Sequence, residues 1–223
     1  MQELMADRVP LPEVINTTGA VPVLRTRQTD HLVEVADVLV EHGLSCLEVT
    51  FTVPSAADWV RRLRKRYGDA ATVGAGTVHD AQQAQAAIDA GAGFVVSAAH
   101  VPEVLALCQR LEVACLPGAL TATEVWSCWA AGASAVKLFP ASVLTPEGLS
   151  ALRGPFPDIP LVPTGGVGID DVAEWLRRGA SAVGLGGPLL GDVFTTGDLD
   201  SLAANARRVA QAVTAARADR RTG

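Results

Sequence analysis

The sequence predicts a (β/α)8 TIM barrel with an extra N-terminal helix, organised as one domain over residues 1–223. Three observations carry that prediction. Short apolar, β-branched runs recur about every 23 residues, near the minimum for a strand, a crossover helix and two loops. Between the runs lie stretches whose apolar residues repeat at helical spacing. Glycine marks the joint from helix to strand repeatedly, and AGAGFVVS, AGASAVKLF and RGASAVGLG share one pattern. An open doubly wound sheet is the alternative. It places a glycine fingerprint after its first strand, where this chain has Arg25–Thr29.

The N-terminal segment, residues 1–16, reads as helical from Pro12. The eight strand runs are Ala20–Arg25, Ser45–Thr50, Ala71–Gly76, Gly93–Ser97, Val113–Pro117, Ser134–Phe139, Pro160–Thr164 and Ala182–Gly186. After the first, Asp30–His42 sets Leu32, Val35, Ala36, Leu39 and Val40 along one helical face. Ser55 is placed to cap a helix over Ala56–Tyr67, and Asp80 or His79 to open Ala81–Ala90. Thr121, Thr145 and Asp170 are further N-cap candidates. Gly43, Gly91, Gly132 and Gly179 stand where helices end, as left-handed C-caps would. Leu199–Ala218 is the closing helix.

Hydrophobic residues make up 49% and charged residues 19%, which excludes a disordered tail or a coiled coil. A net charge of −6 argues against a nucleic-acid partner. The longest weakly charged stretch, Val113–Val136, is interrupted by Pro117, Glu124 and two glycines, so no membrane span is expected. Met1–Pro10 is charged and lacks an apolar segment, so no signal peptide is expected. Cys46, Cys108, Cys115 and Cys128 read as reduced thiols, which points to the cytoplasm. Neither they nor His31, His42, His79 and His100 fall at metal-ligand spacing, and no metal site is expected.

A barrel of this kind carries its chemistry at the C-terminal ends of its strands. There the chain places one of its two lysines. Lys65 belongs to the charged run RRLRKRYG, whereas Lys137 lies in SAVKLFP between Val136 and Leu138. Strand alternation sends that apolar pair outward and Lys137 into the barrel. An interior ammonium is costly unless it is paired, and a neutral amine is the nucleophile that forms Schiff bases with carbonyls. Glu48 faces inward by the same parity and could transfer the protons such chemistry requires. The bland reading of both is an interior ion pair. Arg25, closing the first strand, could grip a carboxylate or form a rim salt bridge. Thr77 could bind a substrate oxygen or cap the next helix. The pairs Gly165–Gly166 and Gly186–Gly187 follow strands seven and eight, where barrels hold phosphate; tight turns alone would also favour glycine.

Five motifs in order, LEVTFTVPSA, VGAGTV, LPGALTATE, VKLFPAS and VPTGGV, resemble the 2-keto-3-deoxy-6-phosphogluconate (KDPG) and 4-hydroxy-2-oxoglutarate (KHG) aldolases over about residues 10–215. The resemblance implies a metal-free class I aldolase, a homotrimer, that cleaves KDPG into pyruvate and glyceraldehyde 3-phosphate. Its alternative is the same cleavage of KHG or another unphosphorylated 2-keto-4-hydroxy acid. A non-catalytic barrel that binds a phosphorylated ligand is the rival from another class. By motif, Lys137 matches the Schiff-base lysine, and no other cofactor is implied. Glu48 matches the acid/base, Thr77 a residue beside the pyruvyl group, and Phe139 a pocket wall. Gly165, Gly166, Gly186 and Gly187 match the phosphate loops. The chain departs from the pattern at Thr52, where some members carry arginine; Arg25 takes that role. Ala98 replaces a common proline, and Gly187 followed by Pro188 replaces a serine that supplies a hydroxyl.

Overall fold

A computed structural model describes residues 8–222, and the segment over residues 1–7, expected to carry no leader, lies outside the described residues. The strands are β1 (Ala20–Leu24), β2 (Cys46–Thr50), β3 (Thr72–Gly76), β4 (Phe94–Val96), β5 (Ala114–Leu116), β6 (Gly118–Ala119), β7 (Val136–Leu138), β8 (Leu161–Pro163) and β9 (Val183–Leu185). The helices are α1 (Glu13–Thr18), α2 (Leu32–Glu41), α3 (Ala56–Tyr67), α4 (Ala81–Asp89), α5 (Pro102–Arg110), α6 (Ala122–Ala130), α7 (Pro146–Arg153), α8 (Val172–Arg177), α9 (Gly187–Leu190), α10 (Val193–Thr196) and α11 (Leu199–Thr222).

The strands pair in parallel, in the orders β5-β4-β3-β2-β1-β9 and β6-β7-β8. The result is an α/β fold built on a curled parallel sheet. The fifth expected run, Val113–Pro117, is trimmed to β5, and beyond Pro117, which has no N–H to give the ladder, a further short strand, β6, pairs with β7 instead. The sixth, Ser134–Phe139, is trimmed to the three residues of β7. Hydrogen bonds cross both seams between the sheets. Ser134 N–H donates to the Cys115 carbonyl at 2.9 Å and Lys137 N–H to that of Pro117 at 3.0 Å. On the other side, Thr164 pairs with Gly184.

Local sequence explains most element ends. Asp80 accepts from Gln83 N–H, and Thr145 from Gly148 N–H. Thr121 and Glu124 form a reciprocal capping box. Ser55 does not cap as expected: it sits at φ +55° and its side chain makes no cap bond. Asp170 is not a cap either, since α8 begins at Val172 and Asp170 pairs with Arg208 at 2.6 Å. The helix-to-strand joints behave as the repeated glycine predicts, with φ of +81° at Gly43 and +105° at Gly179.

Alternation along the strands divides the core into two layers. Leu47, Val49, Val73, Val95, Val136, Leu138, Leu161 and Val183 face outward and pack under the helices. Val21, Cys46, Phe94, Val96, Ala114, Leu116, Ala135, Val162 and Ala182 face inward, joined by Ile15 from α1. Ile15 is fully buried, so the short helix sets an apolar residue into the N-terminal end of the interior. All four cysteines are buried free thiols, and burial pushes that of Cys128 up to about 11. Among the described residues no helix is long and apolar enough to cross a membrane.

Candidate active site

The inward positions change character toward the C-terminal ends of the strands. On β2, Cys46 is followed inward by Glu48 and Thr50; on β7, Ala135 is followed by Lys137. Register sets Glu48 opposite Val23 and Gly74, and Lys137 opposite Gly118 and Val162. The two side chains reach across the interior until Lys137 Nζ and Glu48 Oε1 stand 3.7 Å apart, with exposures of only 4% and 3%. Glycine on β3 makes this possible. A Cβ at Gly76 would overlap the Glu48 carboxylate, and one at Gly74 would overlap the Phe94 ring.

The pair is close but not bonded. A charge-assisted N–H···O contact closes to about 2.7–2.9 Å, and Glu48 Oε1 is buried without a hydrogen-bond partner. At this separation the two side chains form the interior ion pair that the bland reading expects, set beneath the strand ends. The amine also lies 5.4 Å from the centre of the Phe139 ring, within cation–π range.

Above the pair opens a cavity of about 360 Å³. Seven of the residues singled out from sequence line it: Arg25, Lys137, Phe139, Gly165, Gly166, Gly186 and Gly187. Glu48 lies beneath, in a small void that shares Lys137 and Thr164 with the cavity. Thr77 stands beside the entrance and accepts a hydrogen bond from Arg25 Nη2 at 2.8 Å. Among the described residues no carboxylate lies within 4 Å of Arg25, so the rim salt bridge is not formed. Sequence reasoning assigned no role to Thr164, Leu190 and Phe194, which line the wall together with Val23, Pro188 and Gly191. Thr164 was open to the parity argument, two residues beyond inward Val162. Leu190 and Phe194 come from short helices after β9 that no strand pattern announces.

The two glycine pairs exist for different reasons. Gly165 and Gly166 adopt φ of +85° and +88°, and a Cβ at either would crowd Phe139 or Ser142. Turn geometry alone requires them. Gly186 and Gly187 have no positive φ, and a Cβ at either would meet nothing within 4 Å. Packing calls for glycine at neither, and backbone only at Gly186, whose φ of −103° and ψ of −115° lie outside the regions other residues favour. What their small size does provide is open room at the mouth.

A second cavity, about 370 Å³, opens among Trp126, Trp129 and Phe156. It flanks the starts of β7 and β8, away from the strand ends that carry Lys137 and Glu48. Of its ionisable lining residues, Arg8 lies over the Trp129 ring and donates to the Ala133 and Trp129 carbonyls, and Asp158 is the other.

A parallel α/β fold whose strand ends present a buried lysine and carboxylate to one open cavity is the architecture of a metabolic enzyme. The chain belongs to the KDPG and KHG aldolase family, whose model matches residues 11–204. It is 36% identical over 167 residues to the 2-dehydro-3-deoxy-phosphogluconate aldolase of Treponema pallidum, covering 74% of this chain and 79% of that one. It is 32% identical over 203 residues to the KHG/KDPG aldolase of Escherichia coli, covering 89% and 94%. Among solved structures it resembles the KDPG aldolase of Legionella pneumophila, at TM-score 0.80 and 26% identity, with 88% and 96% covered. That protein holds pyruvate as a covalent carbinolamine intermediate.

Proposed function

We propose that this protein is a class I aldolase that cleaves KDPG into pyruvate and glyceraldehyde 3-phosphate through a Schiff base on Lys137. The observation that carries the reading is the buried Lys137–Glu48 pair, held 3.7 Å apart beneath an open cavity. The neutral amine adds to the C2 carbonyl, and the carbonyl oxygen takes a proton to give a carbinolamine. Glu48, directly or through a water, supplies protons for loss of water and formation of the iminium. Removal of the C4 hydroxyl proton then releases the aldehyde. The C3–C4 electron pair passes to the iminium as an enamine. Protonation at C3 and hydrolysis return pyruvate and the free lysine.

Arg25 and Thr77 hold the pyruvyl carboxylate, and Phe139 forms a wall of the pocket. Gly165, Gly166, Gly186 and Gly187 surround the distal phosphate. The iminium serves as electron sink, so no metal cofactor enters the scheme. The reading includes closure of the two sheets into one (β/α)8 barrel preceded by α1, supported by the hydrogen bonds across both seams. It further includes a single domain, a homotrimer and a cytoplasmic location.

The test is borohydride reduction in the presence of pyruvate. One reduced pyruvyl adduct should form, on the peptide containing Lys137, and Lys137→Ala should lose both the adduct and roughly 10³-fold or more in turnover. An adduct on Lys65, or none, overturns the reading. The E. coli relative's double name, together with Gly187 and Pro188 where a hydroxyl is usual, favours one second reading. In it the substrate is KHG or another unphosphorylated 2-keto-4-hydroxy acid. Comparing kcat/KM for the phosphorylated and plain substrates decides between the two.

A further inference from the structure

Arg25 is exposed at the rim, yet its guanidinium is held from two sides. Nη2 donates to Thr77 Oγ1 at 2.8 Å, and Nη1 to Thr52 Oγ1 at 3.4 Å. Thr52 Oγ1 in turn lies 2.8 Å from Thr50 Oγ1, and Thr50, fully buried, donates to the Leu24 carbonyl at 3.2 Å. Guanidinium N–H groups only donate, so Thr52 presents a lone pair to Arg25 whichever hydroxyl donates in the Thr50–Thr52 contact. On the other side, Thr77 accepts from Arg25 and keeps its own hydrogen to donate. Thr77 holds this position at φ +56°, a backbone conformation unfavourable for a β-branched residue. Two of the five guanidinium donors are engaged, which leaves three for a planar anion.

We infer that Thr52 and Thr50 are positioning residues that hold the Arg25 fork over the cavity, anchored through β2 to the Leu24 carbonyl of β1. This rests on the reading of Arg25 as the ligand of the pyruvyl carboxylate. Neither threonine touches the substrate. Thr52 restrains the guanidinium, and buried Thr50 holds the Thr52 hydroxyl in place.

The experiment is a double-mutant cycle between Thr52 and Arg25 read in KM and kcat. Thr52→Val should raise KM for the 2-keto acid roughly 3- to 10-fold, the worth of one net hydrogen bond, with kcat within about twofold. Thr52→Ser should restore KM, and Thr50→Val should move it in the same direction as Thr52→Val. In an Arg25→Ala background Thr52→Val should add nothing, because it acts only through Arg25. An unchanged KM in Thr52→Val, a loss confined to kcat, or an undiminished effect without Arg25 overturns the inference. Borohydride trapping on each variant separates the two levels of failure. Trapping at Lys137 with no effect of Thr52 sinks the positioning role alone. Absence of trapping in the parent chain sinks the aldolase reading and this inference with it.

Discussion

The two ends of the interior of the curled sheet are built from the same strands and obey the same alternation, yet one is an apolar plug and the other a polar pocket. At the N-terminal end the inward residues are Cys46, Ala114, Ala135 and Ala182, covered by Ile15 from α1. At the other end they are Glu48, Lys137, Thr164 and the glycines that leave room for them. The apolar end gains stability from burial, while the polar end holds a buried ion pair, which contributes little to stability. Stability and chemistry are therefore separated by about two residues along each strand.

That separation can be broken by substitution at one end at a time. Glu48→Gln at the polar end should slow turnover by about 10²-fold or more, the usual contribution of a positioned acid/base. Its melting temperature should change little or rise. A near-normal kcat would reduce Glu48 to a structural partner of Lys137. At the apolar end, Ile15→Ala should cost about 2–4 kcal/mol of stability in a denaturant titration, as for other large-to-small core changes. The activity of the folded fraction should stay within about twofold of the parent. If kcat instead falls with stability unchanged, α1 contributes to the site and the two ends are coupled.

The smallest effect is expected at the rim. Gly187→Ser adds a hydroxyl where a Cβ meets no neighbour and φ is not positive. It should leave folding intact and lower KM for a phosphorylated substrate by up to about tenfold, one hydrogen bond's worth. KM for the unphosphorylated analogue should not move. Equal changes for both substrates would show that the open space at Gly187 does not face the distal anion.

Much of the polar end was legible because parity is a strict rule. Lys137 between Val136 and Leu138, and Glu48 between Leu47 and Val49, cannot point inward without their neighbours pointing outward. The loop glycines were legible as a pattern, though their separate causes were not. Those depend on whether Phe139 and Ser142, distant in sequence, come close. The requirement for Gly76 was hidden in the same way, since it comes from a carboxylate on the neighbouring strand. The fifth run was read to end at Pro117, but β6 beyond it was too short to show any alternation. The threonine chain from Thr52 to Leu24 could not be read, because hydroxyl partners are set by the turn of the backbone after β2 rather than by residue type.

Ile15 packs into the apolar end of the interior, and the cavity above Lys137 lies at the opposite, polar end. Under the proposed reaction the aldehyde forms on the side of the open glycines, nearest the exit, while the three-carbon fragment stays tethered to Lys137 on the floor. The aldehyde must depart before the tethered fragment can be hydrolysed and follow it out. In the synthetic direction the order reverses, and the keto acid must be seated before the aldehyde arrives. The sequence of arrivals and departures thus follows from where the covalent tether sits, on a buried strand at the floor of the cavity.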